Sequence, residues 1–556
     1  MIKSRFLAAV AVVIVAALSI KGVSNDFGLT QSTELVINLM RELNGNYVDE
    51  VEPSKLLESA AGAMARNLDP YTAFLPEEEM SDFEMMTTGK YGGIGSIIRQ
   101  KGDYVHIAQP YEGSPADQAG LKIGDRIIAI DGVNAKGFKV SDVSSRLKGT
   151  PGTKVKVKVA GVQDTTKTRN VTVTRDRIKI PAIPYYGFVG DAKDAIGYVK
   201  HTDFTEGSYD EMRTALTSMQ KEGLKGLVLD YRDNGGGIMQ EAINILSLFV
   251  PQGSEVLKTK GRRDSTVYKT MKQPLMLDMP LVVLIDGNSA SAAEIVAGAL
   301  QDLDRAVLIG SKSFGKGLVQ STIPVGYNSY LKLTTARYYI PSGRCIQAID
   351  YSKDGKAGGV RAKVADSVRR EFTTKSGRKV FDGGGVTPDI KIETPKFSSF
   401  VGALYGVGFI DDFGDEYVRK NGDKNGDIKL DILNFKLSDE EYNTFMEFMK
   451  GRDLPYESRT RKSLTDLQKL AKDEQYDDFA ERLKSIEADL KDDKATNLKR
   501  HKSDIVDLIE RDLVMRSGYL RGVIEASLPD DDNVVKAVEV LTKDGEWQRS
   551  LVSHKE

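Results

Sequence analysis

Between Pro280 and Gln320 the chain reads PLVVLIDGNSASAAEIVAGALQDLDRAVLIGSKSFGKGLVQ, and this stretch narrows the fold more than any other. Five apolar residues, Leu281 to Ile285, give way at Asp286-Gly287-Asn288 to Ser-Ala-Ser-Ala-Ala-Glu and then to helical spacing. The pattern predicts a buried strand, a tight turn and a helix start. A hydroxyl at such a turn meets outward-facing backbone N–H groups and the positive end of a helix dipole, which suits a nucleophile or an anion contact. Ser291 is the candidate. Further on, Gly315-Lys316-Gly317 sets one lysine between two glycines, and on a strand Lys316, Leu318 and Gln320 would share a face.

The same alternation recurs upstream. Short apolar runs at Ile196 to Val199 and Gly226 to Asp230 are separated by helical patterns, which predicts an α/β core with largely parallel strands. Asp230 leads into Tyr231-Arg232-Asp233-Asn234-Gly235-Gly236-Gly237, followed by an apolar helix from Met239 to Phe249. Three glycines between strand and helix fit an anion cradle and a plain tight turn equally well. A P-loop is disfavoured, because Gly-Lys-Ser/Thr does not follow.

From Tyr91 to Phe138 the chain changes character. Short alternating segments at Ser96 to Ile98, Tyr104 to Ala108 and Arg126 to Ile130 are punctuated by Gly, Pro and Asp, with one short helix near Pro115 to Ala119. Gly-Ser-Pro-Ala-x-x-Ala-Gly-Leu-x-x-Gly-Asp-x-Ile over 113–127, then Asp131-Gly132, resembles a PDZ domain. The resemblance implies that Gly93-Ile94-Gly95-Ser96 is a carboxylate loop, whose amides hold the C-terminus of a peptide added as a strand. Ile94, Gly95 and Ser96 are the contact candidates.

Taken together, several motifs in one order resemble the carboxyl-terminal processing proteases, serine peptidases of family S41. They run over roughly residues 60 to 395: Asp69-Pro70-Tyr71, the PDZ-like module, the Asn234 glycine loop, Ser-Ala-Ser-Ala-x-Glu, Phe314-Gly315-Lys316-Gly317-x-x-Gln320, Tyr338-Tyr339-Ile340-Pro341-Ser342-Gly343-Arg344 and Gly384-Gly385-Val386-Thr387-Pro388-Asp389. The resemblance implies an α/β protease core (ClpP/crotonase-like) over 178–395, a PDZ domain inserted at 91–177, and helical regions at 25–90 and 396–556. By the same resemblance Ser291 is the nucleophile, Lys316 the general base and Gln320 the residue that orients the lysine. Gly236 and Ala292 would supply the oxyanion donors, and the PDZ domain would gate the site as its ligand binds. The chemistry is coherent, since a serine hydroxyl needs a neighbour to take its proton and a lysine can do so only when neutral. Burial is the available cause for lowering a reference pKa of about 10.4. Two departures from the family pattern stand out: Gly235 replaces the usual proline of Asn-Pro-Gly-Gly, and Ala293 replaces a third serine. A catalytically silent PDZ scaffold is the rival reading, and it has no need of Ser291, Lys316 and Gln320 together.

Composition excludes other classes. Seventy-eight basic against 80 acidic residues leave a net charge of −2, so no global field recruits nucleic acid. One cysteine, Cys345, rules out an internal disulfide framework or multi-cysteine zinc site. Without His-Glu-x-x-His a zinc protease is unsupported, and no metal or cofactor is expected. Of four histidines only His201 lies in the expected core, where packing is a better reading than a Ser-His-Asp triad. Lys3 and Arg5 precede an apolar run from Phe6 to Ile20, which predicts over 1–24 a secretory signal or an uncleaved membrane anchor, and so a periplasmic or envelope location. Two amphipathic helices follow before Asp69, their stripes suited to packing or a homodimer. Beyond Lys396 charged helices recur at 438–449, 464–473, 478–491 and 503–525, the first opened by Ser438-Asp-Glu-Glu. Asn421 to Asp427 suggests a calcium loop only superficially, because Lys429 and Ile432 stand where ligands belong.

Overall fold

The computed structural model describes residues 27–351, 366–393, 398–490 and 493–552. The N-terminal apolar run lies outside them. Among the described residues, no helix is long and apolar enough to cross a membrane. The described residues divide into two compact units, the smaller taking 27–80, 319–336 and 351 and the larger taking the remainder.

In the smaller unit a helix over 27–46 precedes the helix Pro53–Arg66, which opens on a proline where the missing N–H has no intrahelical partner to lose. Asp69 Oδ1 then accepts the Tyr71 and Thr72 amides, both at 2.8 Å, and turns the chain into the strand Ala73–Leu75. That strand pairs antiparallel with Ser329–Tyr339, Ala73 opposite Lys332. The hairpin partner of Ser329–Tyr339 is Leu318–Gly326. Tyr327 and Asn328 join them with φ of +48° and +52°, the left-handed pair that a two-residue hairpin loop needs.

The larger unit carries the β-rich module. Its sheet runs through Ser96–Lys101, Tyr104–Pro110, Arg126–Ile130, Lys154–Ala160 and Thr168–Thr174 in that order. Strict alternation in Lys154–Ala160 buries Val155, Val157 and Val159 and leaves the lysines outside. The short helix Pro115–Gln118 is joined by a second, Val140–Leu147, which sequence periodicity did not mark. The module is entered through Lys90–Gly93 and left through Asp176–Lys179, two strands paired antiparallel.

The α/β core holds a six-stranded sheet ordered Tyr185–Val189, Ile196–Lys200, Gly226–Asp230, Leu281–Ile285, Val307–Gly310, Ile390–Lys391. Every pairing is parallel except the first. Gly226–Asp230 and Leu281–Ile285 are buried throughout, as strands covered on both faces must be. The helix Ala292–Asp302 is buried at every residue. A late helix, Asp532–Thr542, completes the core: Val534, Ala537 and Val540 pack in one cluster with Val228, Val282 and Leu284.

Between the core and that helix lies a helical region with its own core of Phe400, Leu404, Phe413, Phe445, Ile505 and Ile509. Ser438 caps Asp439–Phe448 with the expected capping box, Glu441 reaching back to the Ser438 amide at 2.8 Å. The 421–427 stretch is a turn in which Asp423 Oδ1 accepts the Asn425 and Asp427 amides. One residue of the β-rich module, Val162, belongs to this helical core.

Candidate active site

Ser291 stands at the N-cap of Ala292–Asp302 with φ +56° and ψ −115°. A non-glycine residue held there is strained, and it stands in the turn between Leu281–Ile285 and the helix it caps. The turn before it is fully bonded. Ser289 Oγ donates to the Tyr231 carbonyl at 2.8 Å, while Asp286 Oδ1 accepts the Asn288 and Ser289 amides, each at 3.0 Å. Ser289 is thus buried in a structural role, leaving Ser291 as the half-exposed hydroxyl.

Lys316 reaches the same place by another route. The strand expected to carry it begins only at Leu318, so Lys316 lies in the preceding loop and does not share a strand face with Gln320. The cause is packing on both glycines. Gly315 has φ +91° and its α-carbon faces Ala348, and a Cβ on Gly317 would come within 2.8 Å of the Gln347 backbone nitrogen.

Two side chains to which the motifs assigned no role bring Ser291 and Lys316 together. Glu294, wholly buried, accepts the Ser291 and Lys316 amides on the same oxygen, Oε2, each at 2.9 Å. Its other oxygen accepts the Gly315 amide at 2.8 Å and the Ser313 hydroxyl at 2.5 Å. Burial pushes this carboxyl up to about 7, and the four donors oppose the rise. The Tyr338 hydroxyl lies 3.2 Å from the Ser291 carbonyl oxygen and 2.5 Å from that of Lys316. Amides on one carboxylate oxygen and carbonyls on one phenol fix the two backbones against each other. The signal for Glu294 was present in the sequence, because a Glu three residues after an N-cap serine is the capping-box spacing. Tyr338 opens the Tyr338 to Arg344 motif, but its role could not be read there, since only the fold brings its strand back.

The glycine loop lies alongside. Asp233 has φ +59°, Gly236 φ +99° and Gly237 φ +139°. A Cβ on Gly236 would stand 2.8 Å from both the Ser291 Cβ and the Ala292 nitrogen, so glycine is required by close approach. The Ala292 amide, first in its helix, has no intrahelical acceptor. The Gly236 amide differs from the expected open donor: it donates to Asn234 Oδ1 at 2.8 Å. Asn234 Nδ2 in turn donates to the His201 carbonyl at 2.8 Å. His201 itself is buried, its ring 4.3 Å from that of Phe204 and 5.3 Å from that of Tyr231, and burial lowers its pKa to about 3, so it packs as a neutral ring.

Gln320 falls in the smaller unit, where its Nε2 donates to Thr334 Oγ1 at 3.1 Å. In the β-rich module, Ile94 and Gly95 form the bend between Lys90–Gly93 and the strand that Ser96 begins. The Ile94 carbonyl accepts the Ala116 amide and the Gly95 carbonyl accepts the Ser114 hydroxyl, both at 2.8 Å. Both carbonyls are thereby turned onto the helix Pro115–Gln118, and Gly95, with φ +79°, is held there.

A family model described as "Peptidase family S41" matches residues 195–356, one described as "PDZ domain" matches 106–161, and one described as "Probable PDZ-protease, C-terminal helical domain" matches 400–541. The chain is 36% identical over 325 residues to a carboxy-terminal-processing protease of Bartonella bacilliformis, covering 57% of this chain and 73% of the relative. It is 29% identical over 377 residues to the carboxy-terminal processing protease CtpA of Bacillus subtilis, covering 66% and 78%. Among solved structures, a photosystem II D1 C-terminal processing protease aligns at 27% identity and TM-score 0.35, over 64% of this chain and 92% of that one.

Proposed function

Because the chain belongs to peptidase family S41, as a carboxy-terminal processing serine protease with a PDZ domain, we propose that it cuts exported proteins with a Ser291–Lys316 dyad after capturing their C-termini. The observation that carries the dyad is the shared clamp, Glu294 Oε2 on both amides and Tyr338 on both carbonyls. Lys316 Nζ, neutral, takes the proton of Ser291 Oγ as Oγ bonds to the scissile carbonyl carbon. The carbonyl oxygen becomes an oxyanion on the Ala292 amide and a glycine-loop amide, and the proton passes to the leaving nitrogen as the peptide bond breaks. Water then hydrolyses the acyl-enzyme with Lys316 as base. Gly236 serves as the second donor once Asn234 Oδ1 gives up its amide.

Substrate selection follows from the PDZ domain, where the amides of Ile94, Gly95 and Ser96 face a C-terminal carboxylate and the substrate adds as a strand beside Ser96–Lys101. The core is of the ClpP/crotonase-like type. The basic, apolar N-terminus supports a periplasmic or envelope location, by export or by a tether. Exposed Leu35, Ile37 and Leu39 on the 27–46 helix favour a homodimer. Ser291→Ala and Lys316→Ala, assayed on an unfolded protein substrate, should each lower turnover by ~10⁴-fold or more, as loss of a nucleophile or its base does in hydrolases of this kind. Full activity in either variant sinks the dyad.

A further inference from the structure

Where the PDZ domain meets the helical region, a cavity of about 260 Å³ opens between the two. Its walls meet at Gly124, where a Cβ would stand 2.6 Å from Asp415 Oδ1, so the backbone of the module lies close against the helix Phe409–Asn421. Four cations line the cavity, Lys101 and Arg126 from the module and Arg419 and Arg452 from the helical region, against two carboxylates, Asp412 and Asp415. His106 adds no charge, because burial and the nearby Lys101 hold its pKa below the ordinary value.

The four cations are not equally engaged. Lys101 Nζ is taken by Asp412 at 2.5 Å and by Asp415 at 2.7 Å, and Asp415 is shared with Arg516 at 2.9 Å, so the lysine and both carboxylates are already compensated. Three guanidiniums remain. Arg419 pairs with Glu416 at 2.7 Å, but the two side chains are 38% and 49% exposed, and water screens such a pair heavily. Arg126 and Arg452 meet no carboxylate among the described residues. Arg126 Nη2 donates to the Thr165 carbonyl at 3.2 Å, and its Cζ lies 5.2 Å from the centre of the Tyr104 ring. Arg452 Nε donates to the Phe448 carbonyl at 3.0 Å, and its Cζ lies 3.9 Å from the centre of the Phe448 ring. Stacking on a ring fixes the plane of a guanidinium and leaves its N–H edge to a ligand. Arg126 Nε is closed off from water with no acceptor among the described residues, and a charged donor left so is costly until an anion reaches it. Guanidiniums converging on one cavity from three chain segments suit an oxyanion, which takes them through paired N–H bonds.

We propose that this cavity binds a small phosphate-type polyanion, a diphosphate or the phosphate ester of a small soluble molecule, with Arg126 on one side of it and Arg419 and Arg452 on the other. A lone phosphate, a few water molecules in bulk, leaves most of such a cavity to solvent, and a second phosphate or an ester group fills it. The ligand touches the PDZ domain and the helical region together, and so ties the two at a place where their own bonds are ion pairs.

The full chain is titrated with inorganic pyrophosphate by calorimetry in a phosphate-free buffer, with inorganic phosphate and citrate as comparisons. One pyrophosphate should bind per chain, at least about ten-fold tighter than phosphate, and should raise the melting temperature as its concentration rises. Arg126→Gln in the module and Arg452→Gln in the helical region should each weaken it at least about ten-fold, the order of one charge-assisted bond. Neither side chain is buried, so both variants should melt like the wild type without ligand. Arg126→Lys and Arg452→Lys keep the charge and lose the fork; they replace a glutamine variant that fails to fold, and should weaken binding about three-fold or more. Unchanged affinity on both sides puts the anion elsewhere on the chain and overturns the site. Loss on one side alone overturns it too, since the ligand must touch both walls. No binding of pyrophosphate, or citrate binding as tightly as pyrophosphate, overturns the phosphate assignment.

Discussion

The C-terminal region grips two partners, and it does so with opposite physics. Against the protease sheet, Val534, Ala537 and Val540 join Val228, Val282 and Leu284 in one apolar cluster, and Trp547 Nε1 donates to the Leu281 carbonyl at 2.9 Å. Against the PDZ domain it presents charge. Asp411, Asp412 and Asp415 take Lys101, Asp427 takes Lys122 at 2.5 Å, and Val162 is the one buried apolar residue lent to the helical core. Apolar contact is lost only by exposing it to water, whereas partly exposed ion pairs can trade a partner for water at a smaller cost. The first interface is therefore a permanent layer of the fold, and the second is one that can loosen.

The largest effect should come from spoiling the permanent layer. Val540 is wholly buried, and Val540→Asp would set an unpaired carboxylate among valines and leucines. We expect a loss of more than about 4 kcal/mol, the range of an uncompensated buried charge, read as loss of soluble protein or of the peptidase-core melting transition. A variant that melts like wild type would show that the helix is not a layer of the core, and the comparison would collapse.

How much of this was legible in advance depends on how local each signal is. Leu281–Ile285, the turn and the helix that follows are encoded within twenty residues, and hydrophobic period plus turn chemistry read them correctly. Ser291 was nominated by that local pattern, and the neighbouring Ser289 is buried with its hydroxyl bonded to the Tyr231 carbonyl. The helix Asp532–Thr542 was missed although its valines have helical spacing, because a run of eleven residues so late in a charged tail looks like more of the tail. Only the sheet it covers explains it. Lys316 was placed on a strand because Leu318-Val319 is strand-like, and packing of Gly315 on Ala348 and Gly317 on Gln347, thirty residues on, decided otherwise. Tyr338 acts across a hairpin, and Arg126 meets Arg419 and Arg452 from hundreds of positions away, so no window along the chain contains their reason.

A middling effect is expected at the PDZ end. Lys101 has a 28% exposed side chain and is held well above the ordinary lysine range, at about 12, where Asp415 and Asp411 outweigh the burial that opposes its charge. Lys101→Ala leaves three carboxylates with only Arg99 and Arg516 between them. We expect a cost of about 1–3 kcal/mol, between that of a surface pair and a buried one. Hydrogen exchange should localise it: amides of Tyr104–Pro110 and Phe409–Asn421 should exchange faster while those of Gly226–Asp230 keep their protection. Equal loss at both interfaces would mean that the two ends open as one unit.

The smallest effect is one of pH, and it distinguishes the two ends by midpoint. Burial pushes the Asp512 carboxyl up to about 6 despite its bond to Arg516, with Asp411 adding to the rise. At the nucleophile, burial raises Glu294 to about 7. Both folded pKa values lie above the unfolded ones, so each group's stabilisation is complete below about pH 4 and is lost as pH rises, through about 6 at Asp512 and about 7 at Glu294. Asp512→Asn should therefore flatten the fall in protection at the PDZ end between about pH 4 and 6, a change of roughly 1 kcal/mol, since ion-pair networks share such shifts among their members. It should leave the fall near pH 7 around Ala292–Asp302 in place. The midpoints then belong to separate regions, the charged PDZ end and the nucleophile helix. If Asp512→Asn shifts both falls together, the charged end and the protease end are one cooperative body, and the loosening that distinguishes them does not occur.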